Sequence, residues 1–486
     1  MIVGRHPLLT FLSWQAAGLA LLFCHVNLAV LFGSVVPSYG LTVPLVVLLY
    51  IADSLAGFAI LLQFLMYQNV AISMASASFD FTLYHGLQGS SFALTLAISI
   101  VAAWRLWGAE KNRKTLIVIV AAGAVVMAYT AFGAMQSSFG SAAVYFRSSS
   151  VAILCLLIGR DIGRDHSYRS VGLCYLISMA LGLVLAVYEA AAPLAYYDWI
   201  DAKDYYRLQY SSATNQPTVD FRSAQDVVAY LTSSFFNIGG VDIQSVRFGG
   251  PNMHSVSYAY LMSIGAIVAL SLGIFWFTAM MLPLLFLIGV KGATIVLAAT
   301  AALWVAGRAF GRVFLCVFGT ALAVGYIALV MSYGLSVGDY HVIGLLGGID
   351  GFLRNPFGHG IGVGGNLSSS ISSTDLGADW NDFQRYGADQ ALESAIGVLL
   401  YQMGIGAAVV FYALWIPFRT TIGRFRRPIG LVPLALAAVF VNGLFQEEAF
   451  SPYALGLLTL FAGVLSSRMP EPAAAAVDER RCALAG

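Results

Sequence analysis

Apolar runs of about twenty residues dominate this chain and leave it few folds to choose from. They fall at roughly 8–32, 41–64, 66–85, 88–107, 115–136, 141–159, 170–192, 255–272, 274–290, 292–307, 312–333, 393–417, 429–446 and 452–467. Each is near the length a hydrocarbon core demands of a helix, which satisfies its own backbone groups in lipid. The 486 residues are 59% hydrophobic and only 10% charged, a balance expected of helices packed in a bilayer and not of a water-soluble domain. The expected fold is all-α: a polytopic transmembrane helical bundle of about fourteen spans. Arg5 precedes a first run too long for a signal-peptide core, so that run reads as a retained span.

Charge sets the orientation. Arg105, Lys111, Arg113 and Lys114 lie between the fourth and fifth runs, and Arg160, Arg164 and Arg169 between the sixth and seventh. Arg308 and Arg312 separate the tenth from the eleventh, and Arg419, Arg424, Arg426 and Arg427 follow the twelfth. These clusters share one face if the chain crosses about fourteen times with both ends on that face, which the positive-inside rule makes the cytoplasm. Two large loops, 193–254 and 334–392, are then extracytoplasmic. The expected organisation is N-terminal membrane helices (1–192), the first loop, central helices (255–333), the second loop, C-terminal helices (393–467) and a cytoplasmic, disordered tail (468–486).

A net charge of +1 without a basic stripe gives no reason to expect a nucleic-acid partner. Five cysteines, none in a CxxC pair, argue against a disulfide framework or a zinc site, and no aspartate pair has obvious ligand spacing, so no metal or other cofactor is expected. The polar sequence carries the chemistry. Phe352-Leu-Arg-Asn-Pro-Phe-Gly-His-Gly-Ile-Gly-Val-Gly-Gly-Asn366 combines five glycines with Arg354 and His359, as a backbone wrapped around an anionic ligand requires.

Arg247 before a helix, Lys291 at an outer turn and Arg354 in the glycine loop form a candidate diphosphate grip. His359 and Glu393 are candidate catalytic residues, and Asp389, His254 and Arg222 candidate acceptor or loop contacts. Each has a plainer role. Arg247 would pair with Asp242, Lys291 would snorkel to lipid headgroups, Arg354 would bridge to Asp350, and His359 would make a loop hydrogen bond. Glu393 would cap its helix, and His254 would be a structural turn residue. Either Glu447 or Glu448 would face a cavity at an outer hairpin, while Asp53 and Asp80 fall inside apolar runs, where a charge needs a partner.

These pieces resemble the O-antigen polymerase and ligase superfamily of Wzy-type polymerases and WaaL-type ligases. Arg247-Phe-Gly-Gly-Pro-Asn252 is similar to its Arg, Gly and Pro-Asn approach to a helix, and Lys291-Gly-Ala to a Ser-Arg-Gly turn with lysine in place of arginine. Arg354-Asn-Pro-Phe-Gly-His-Gly-Ile-Gly resembles the glycine loop, and Glu393 through Gly404 a helix that commonly begins with His or Asp. The resemblance covers about 247–404 and implies a bacterial inner-membrane polysaccharide polymerase with its active site facing the periplasm. Its substrates would be glycans on undecaprenyl diphosphate, held by Arg247, Lys291 and Arg354, with His359 or Glu393 activating an acceptor sugar hydroxyl. Membrane lipid and a chain-length regulator or flippase are the further partners implied. A ligase acting on lipid A core is the nearest alternative. A transporter or flippase, and a scaffold subunit, are alternatives of other classes.

Overall fold

The computed structural model describes residues 7–109, 113–214, 221–238, 241–365 and 393–467. The chain begins with α1 (Pro7–Phe32), α2 (Val35–Ala52), α3 (Ser54–Ser73), α4 (Phe81–Gln88), α5 (Ser90–Ala109), α6 (Arg113–Gln136), α7 (Phe139–Asp165) and α8 (Tyr168–Ala191). The short helices α9 (Pro193–Trp199), α10 (Ala202–Thr214) and α11 (Ala224–Leu231) lead to an antiparallel hairpin, β1 (Thr232–Ile238) with β2 (Val241–Val246). Next come α12 (Ser255–Ser271), α13 (Phe275–Ile288), α14 (Lys291–Val337) and α15 (Tyr340–Arg354). Beyond the second polar region are α16 (Ala395–Met403), α17 (Ala407–Thr421), α18 (Leu431–Asn442) and α19 (Leu457–Ser466).

Among the described residues ten helical segments are long and apolar enough to cross a membrane, and three shorter apolar helices accompany them. The longest, α14, has 47 residues, about 70 Å of helix and twice what a hydrocarbon core needs. It is two arms, because Gly311 has φ 86° and ψ −173° and breaks the helix between Arg308 and Arg312. The hairpin is a small exception to the all-helical expectation. Its residues belong to the first polar loop, which is folded over its described residues, and the second begins with α14 still helical to Val337 and then α15.

Two expected spans are corrected. An apolar stretch centred on Asp53 is not one crossing: α2 ends at Ala52 and α3 begins at Ser54. Asp53 accepts hydrogen bonds from the Leu55 and Ala56 amides at 2.9 and 3.4 Å, so a carboxylate inside an apolar run marks a helix start. Asp80 likewise caps α4 through the Leu83 amide at 2.7 Å. Neither is a charge stranded at mid-helix.

Around Asp53 one end of the bundle is tied by ions. Arg105 reaches Asp165 at 2.7 Å and Asp161 at 3.5 Å, Tyr50 donates to Asp161 at 2.9 Å, and His166 meets Asp53 at 3.2 Å. The His166 hydrogen bond holds the Asp53 carboxyl below the usual carboxylate range.

Helices α3, α12 and α19 are buried on nearly every face and form the centre. Helix α7 lies close along α19 because Gly159 and Gly163 are one turn apart: a Cβ at Gly159 would sit 2.0 Å from the Leu460 carbonyl oxygen.

Candidate functional site

At the end opposite the Asp53 cluster, the turn before α12 is built from beneath. Glu189 of α8 is buried, and its carboxylate accepts the Gly249 and Gly250 amides at 3.0 and 2.7 Å and the Tyr197 hydroxyl. Gly250 has φ +54°, and a Cβ there would lie 2.6 Å from the Tyr258 ring. Arg247 stands at the rim of this turn with its side chain exposed, while its amide donates to Leu231 at 3.0 Å. His254 caps α12: its Nδ1 accepts the Ser257 amide at 3.3 Å and lies 2.8 Å from the Ser257 hydroxyl. An imidazole in that position accepts with Nδ1, leaving Nε2 to carry the proton in the neutral ring.

The Ser257 hydroxyl donates in turn to Glu448 at 3.3 Å. Glu448 belongs to a helical turn, Glu447–Phe450, which packs against α7, α12, α16 and α18. Tyr453, just beyond it, hydrogen-bonds the Asn252 side chain, and its hydroxyl feels the charges of both Arg147 and Glu448. On another side the Tyr260 hydroxyl donates to Asn442, whose amide donates to Tyr326 at 3.3 Å. Gly292 lies so near this pair that a Cβ would sit 2.8 Å from the Tyr260 oxygen and 3.3 Å from Gln446. Lys291, immediately before it, is exposed on the first turn of α14. A cation there opposes the helix dipole and adds to the positive potential that favours an anion.

An apolar cavity of about 480 Å³ runs below this corner, between the two arms of α14 and helices α17 and α18. Leu303, Leu315, Phe418 and Leu434 line it, and Tyr326 and Asn442 also belong to its wall.

The remaining candidates spread along α16. Helix α15 runs parallel to it, with Gly348 against Gly397 and Gly351 against Tyr401. At the start of α16, Ser394 supplies the cap through the Gly397 amide at 2.9 Å. Glu393 is therefore not the cap. It stands beside His341, with Oε2 3.6 Å from the imidazole Nδ1. Ser394 also donates to Leu444 at 2.7 Å, which brings Glu393 to the same level as Asn442 and Gln446.

Arg354 lies at the far end of α15, about 20 Å beyond His341 at 1.5 Å per residue. It is exposed and bridged to Asp350 at 3.0 and 3.3 Å. The expected three-cation grip does not form around Arg354. Its plainer role, the bridge to Asp350, is the one observed.

His359 stacks on Tyr401 with ring centroids 4.1 Å apart, and Nδ1 lies 3.0 Å from the Tyr401 carbonyl oxygen. A carbonyl only accepts, so Nδ1 carries the proton and Nε2 is the basic nitrogen. The glycine loop meets protein on its described faces. The Gly360 amide donates to Gln402 at 2.9 Å and the Ile361 amide to Tyr129 at 2.9 Å. Gly358, Gly360, Gly362, Gly364 and Gly365 all have positive φ. A Cβ at Gly360 would meet Gly133 of α6 at 2.5 Å, and one at Gly362 would meet Ala142 of α7 at 2.6 Å. Absent side chains here let a strand thread between helices, where its backbone groups find partners.

The amide of Arg222 donates to Asp226 at 2.8 Å in the capping box of α11, far from Glu448 in role, and this bond lowers the Asp226 carboxyl below its ordinary value. Asp389 lies outside the described residues.

The structure thus joins His254 to Glu448 through Ser257, sets Gly292 and Ser394, the neighbours of Lys291 and Glu393, against the segment that precedes Glu447, and leaves Arg354 apart. Sequence reading missed Arg147, Glu189 and His341. Arg147 and Glu189 each stand as a lone charge inside an apolar run, which is the signal that would have found them. Among the described residues no group of three His, Cys, Asp or Glu side chains is arranged to hold a metal ion.

The helices and this polar corner define a multi-pass helical membrane protein by length and composition. Comparisons with protein-family models, with curated proteins and with solved structures find no match.

Proposed function

We propose that this protein is a bacterial inner-membrane glycosyltransferase that polymerises lipid-linked oligosaccharide repeats into a surface polysaccharide. In this reading the chain crosses the membrane about fourteen times, and the Glu448 corner faces the periplasm. Support for that orientation comes from Arg105, Arg164, Arg308, Arg312 and Arg424, which lie at helix ends on the opposite side.

The observation that carries the reading is a carboxylate, Glu448, that accepts a hydrogen bond from Ser257 near the start of α12 and acts on the same Tyr453 hydroxyl as the Arg147 cation. Glu448 takes the proton from an acceptor sugar hydroxyl as that oxygen bonds to the donor's anomeric carbon. The bond from that carbon to the diphosphate breaks, and its electron pair leaves on the diphosphate oxygen. Lys291 stabilises the departing charge. The cavity beside Asn442 suits the first isoprene units of an undecaprenyl tail. Glu393, with His341, stands on the same level and orients the acceptor, while His359 fixes the loop against Tyr401.

One observation favours a second reading, transport. Helices α16 and α17 are separated at Gly404–Gly406, where the strand 355–365 is hydrogen-bonded alongside, as in the discontinuous helices of carriers.

The test is a cell lacking this gene, complemented at matched expression with wild type, Glu448→Gln, Glu393→Ala or His359→Ala, with glycan length read on gels. Single lipid-linked repeats accumulating in Glu448→Gln support polymerisation. Long glycan left on the carrier lipid indicates a ligase, and normal glycan from every variant removes the enzymatic reading in favour of transport.

A further inference from the structure

Arg147 lies eight residues into α7, about 12 Å down the helix axis from Phe139. It is half-buried in a segment long and apolar enough to cross a membrane. Among the described residues no hydrogen bond or ion pair reaches its guanidinium. The other arginines of α7 differ: Arg164 meets Asp161 at 3.5 Å, and Arg160 also has a partner.

The direction in which Arg147 points is fixed by its helix. Val151 and Cys155, one and two turns further along, pack near Gly456 just before α19. Arg147 therefore occupies the same inward stripe, one turn above them, and its charge acts on the Tyr453 hydroxyl. A charge at such depth is expensive when nothing compensates it. Glu448 acts on the same tyrosine hydroxyl without approaching Arg147 closely enough to form an ion pair. Among the described residues the guanidinium's planar fork of donors is unused, the geometry that takes two oxygens of a phosphoryl or carboxylate group at once.

We propose that Arg147 is the oxyanion-binding residue of the Glu448 corner, and that it, not Arg354, completes a cationic pair with Lys291. The inference deepens the reading above and rests on it for the choice of this end as the working face. The oxyanion is either the phosphoryl group of a donor or the carboxylate of an acidic sugar, and the two separate experimentally.

The full chain, purified into nanodiscs, is titrated calorimetrically with inorganic pyrophosphate in one arm and with glucuronate in another. Saturable binding in one arm, weakened at least tenfold by Arg147→Gln and less than twofold by Arg354→Gln, is the expected result, and the arm that responds names the group. Binding in neither arm, or wild-type affinity in Arg147→Gln, overturns the proposal. Should Arg147→Gln not fold, Arg147→Lys decides: a threefold or greater weakening supports the bidentate fork, and unchanged affinity overturns it. Titration needs no turnover, so its outcome is separate from the glycan-length test of polymerisation.

Discussion

Arg354 and Arg147 carry the same charge and meet different surroundings. A carboxylate one turn back already occupies the first, in the open, while the second is half-buried and acts on the Tyr453 hydroxyl. Exposed pairs of the Arg354–Asp350 kind contribute about 0–1 kcal/mol, so Arg354→Ala should leave glycan length within about twofold of wild type. Loss of a general base costs on the order of 10²–10⁴ in rate, and Glu448→Gln should lower polymer yield by at least about 100-fold in the same gel assay.

His254 separates two roles by one substitution. Asparagine is a good helix cap, so His254→Asn should retain thermal stability, whereas His254→Leu should lose about 1 kcal/mol. At the other end, Asp53 titrates with a known sign. Its folded carboxyl is depressed, so its contribution is fully present above its unfolded value and is lost as pH falls below about 4. Thermal unfolding scanned from pH 6 to 3 should show that loss in wild type and a smaller one in Asp53→Asn.

Helices were legible where apolar runs end at charges, and misread where they do not. The starts of α6, α8 and α14 follow basic residues or glycine turns and agree with the sequence. Asp53 lies in an apolar run whose hydropathy continues on both sides, and only the capping geometry with Leu55 and Ala56 discloses the turn. The glycine loop was legible as special, but not for its purpose. Its neighbours Gly133, Ala142 and Tyr401 lie tens or hundreds of residues away, and no local pattern announces them. The pairing of His341 with Glu393 was invisible for the same reason. Close helix contacts make a further prediction. Gly159→Val would drive a side chain into the α19 backbone, and overpacking of this kind costs about 1–3 kcal/mol. A lowered melting temperature with a normal response for Gly108→Val, where open space surrounds the Cβ, would distinguish contact from helix propensity.

Across the whole molecule, the two ends of the bundle are built differently. One is closed by Arg105, Asp161, Asp165 and Tyr50 and carries most of the arginines. The other is assembled from α7, α12, α14, α16 and the Glu447–Phe450 turn, and there buried polar groups meet an apolar cavity. Composition and charge distribution made that polarity legible in outline. The proposed corner was not, because its members come from segments as distant as Ser257 and Glu448 and meet only in the fold. The most direct measurement is reconstitution of the purified chain in proteoliposomes with a defined oligosaccharide on a polyprenyl diphosphate. A ladder of lengthening glycans from wild type and single repeats from Glu448→Gln is the expected result. Wild-type protein that yields no ladder across a panel of repeat units, while moving the unextended lipid between leaflets, would contradict it.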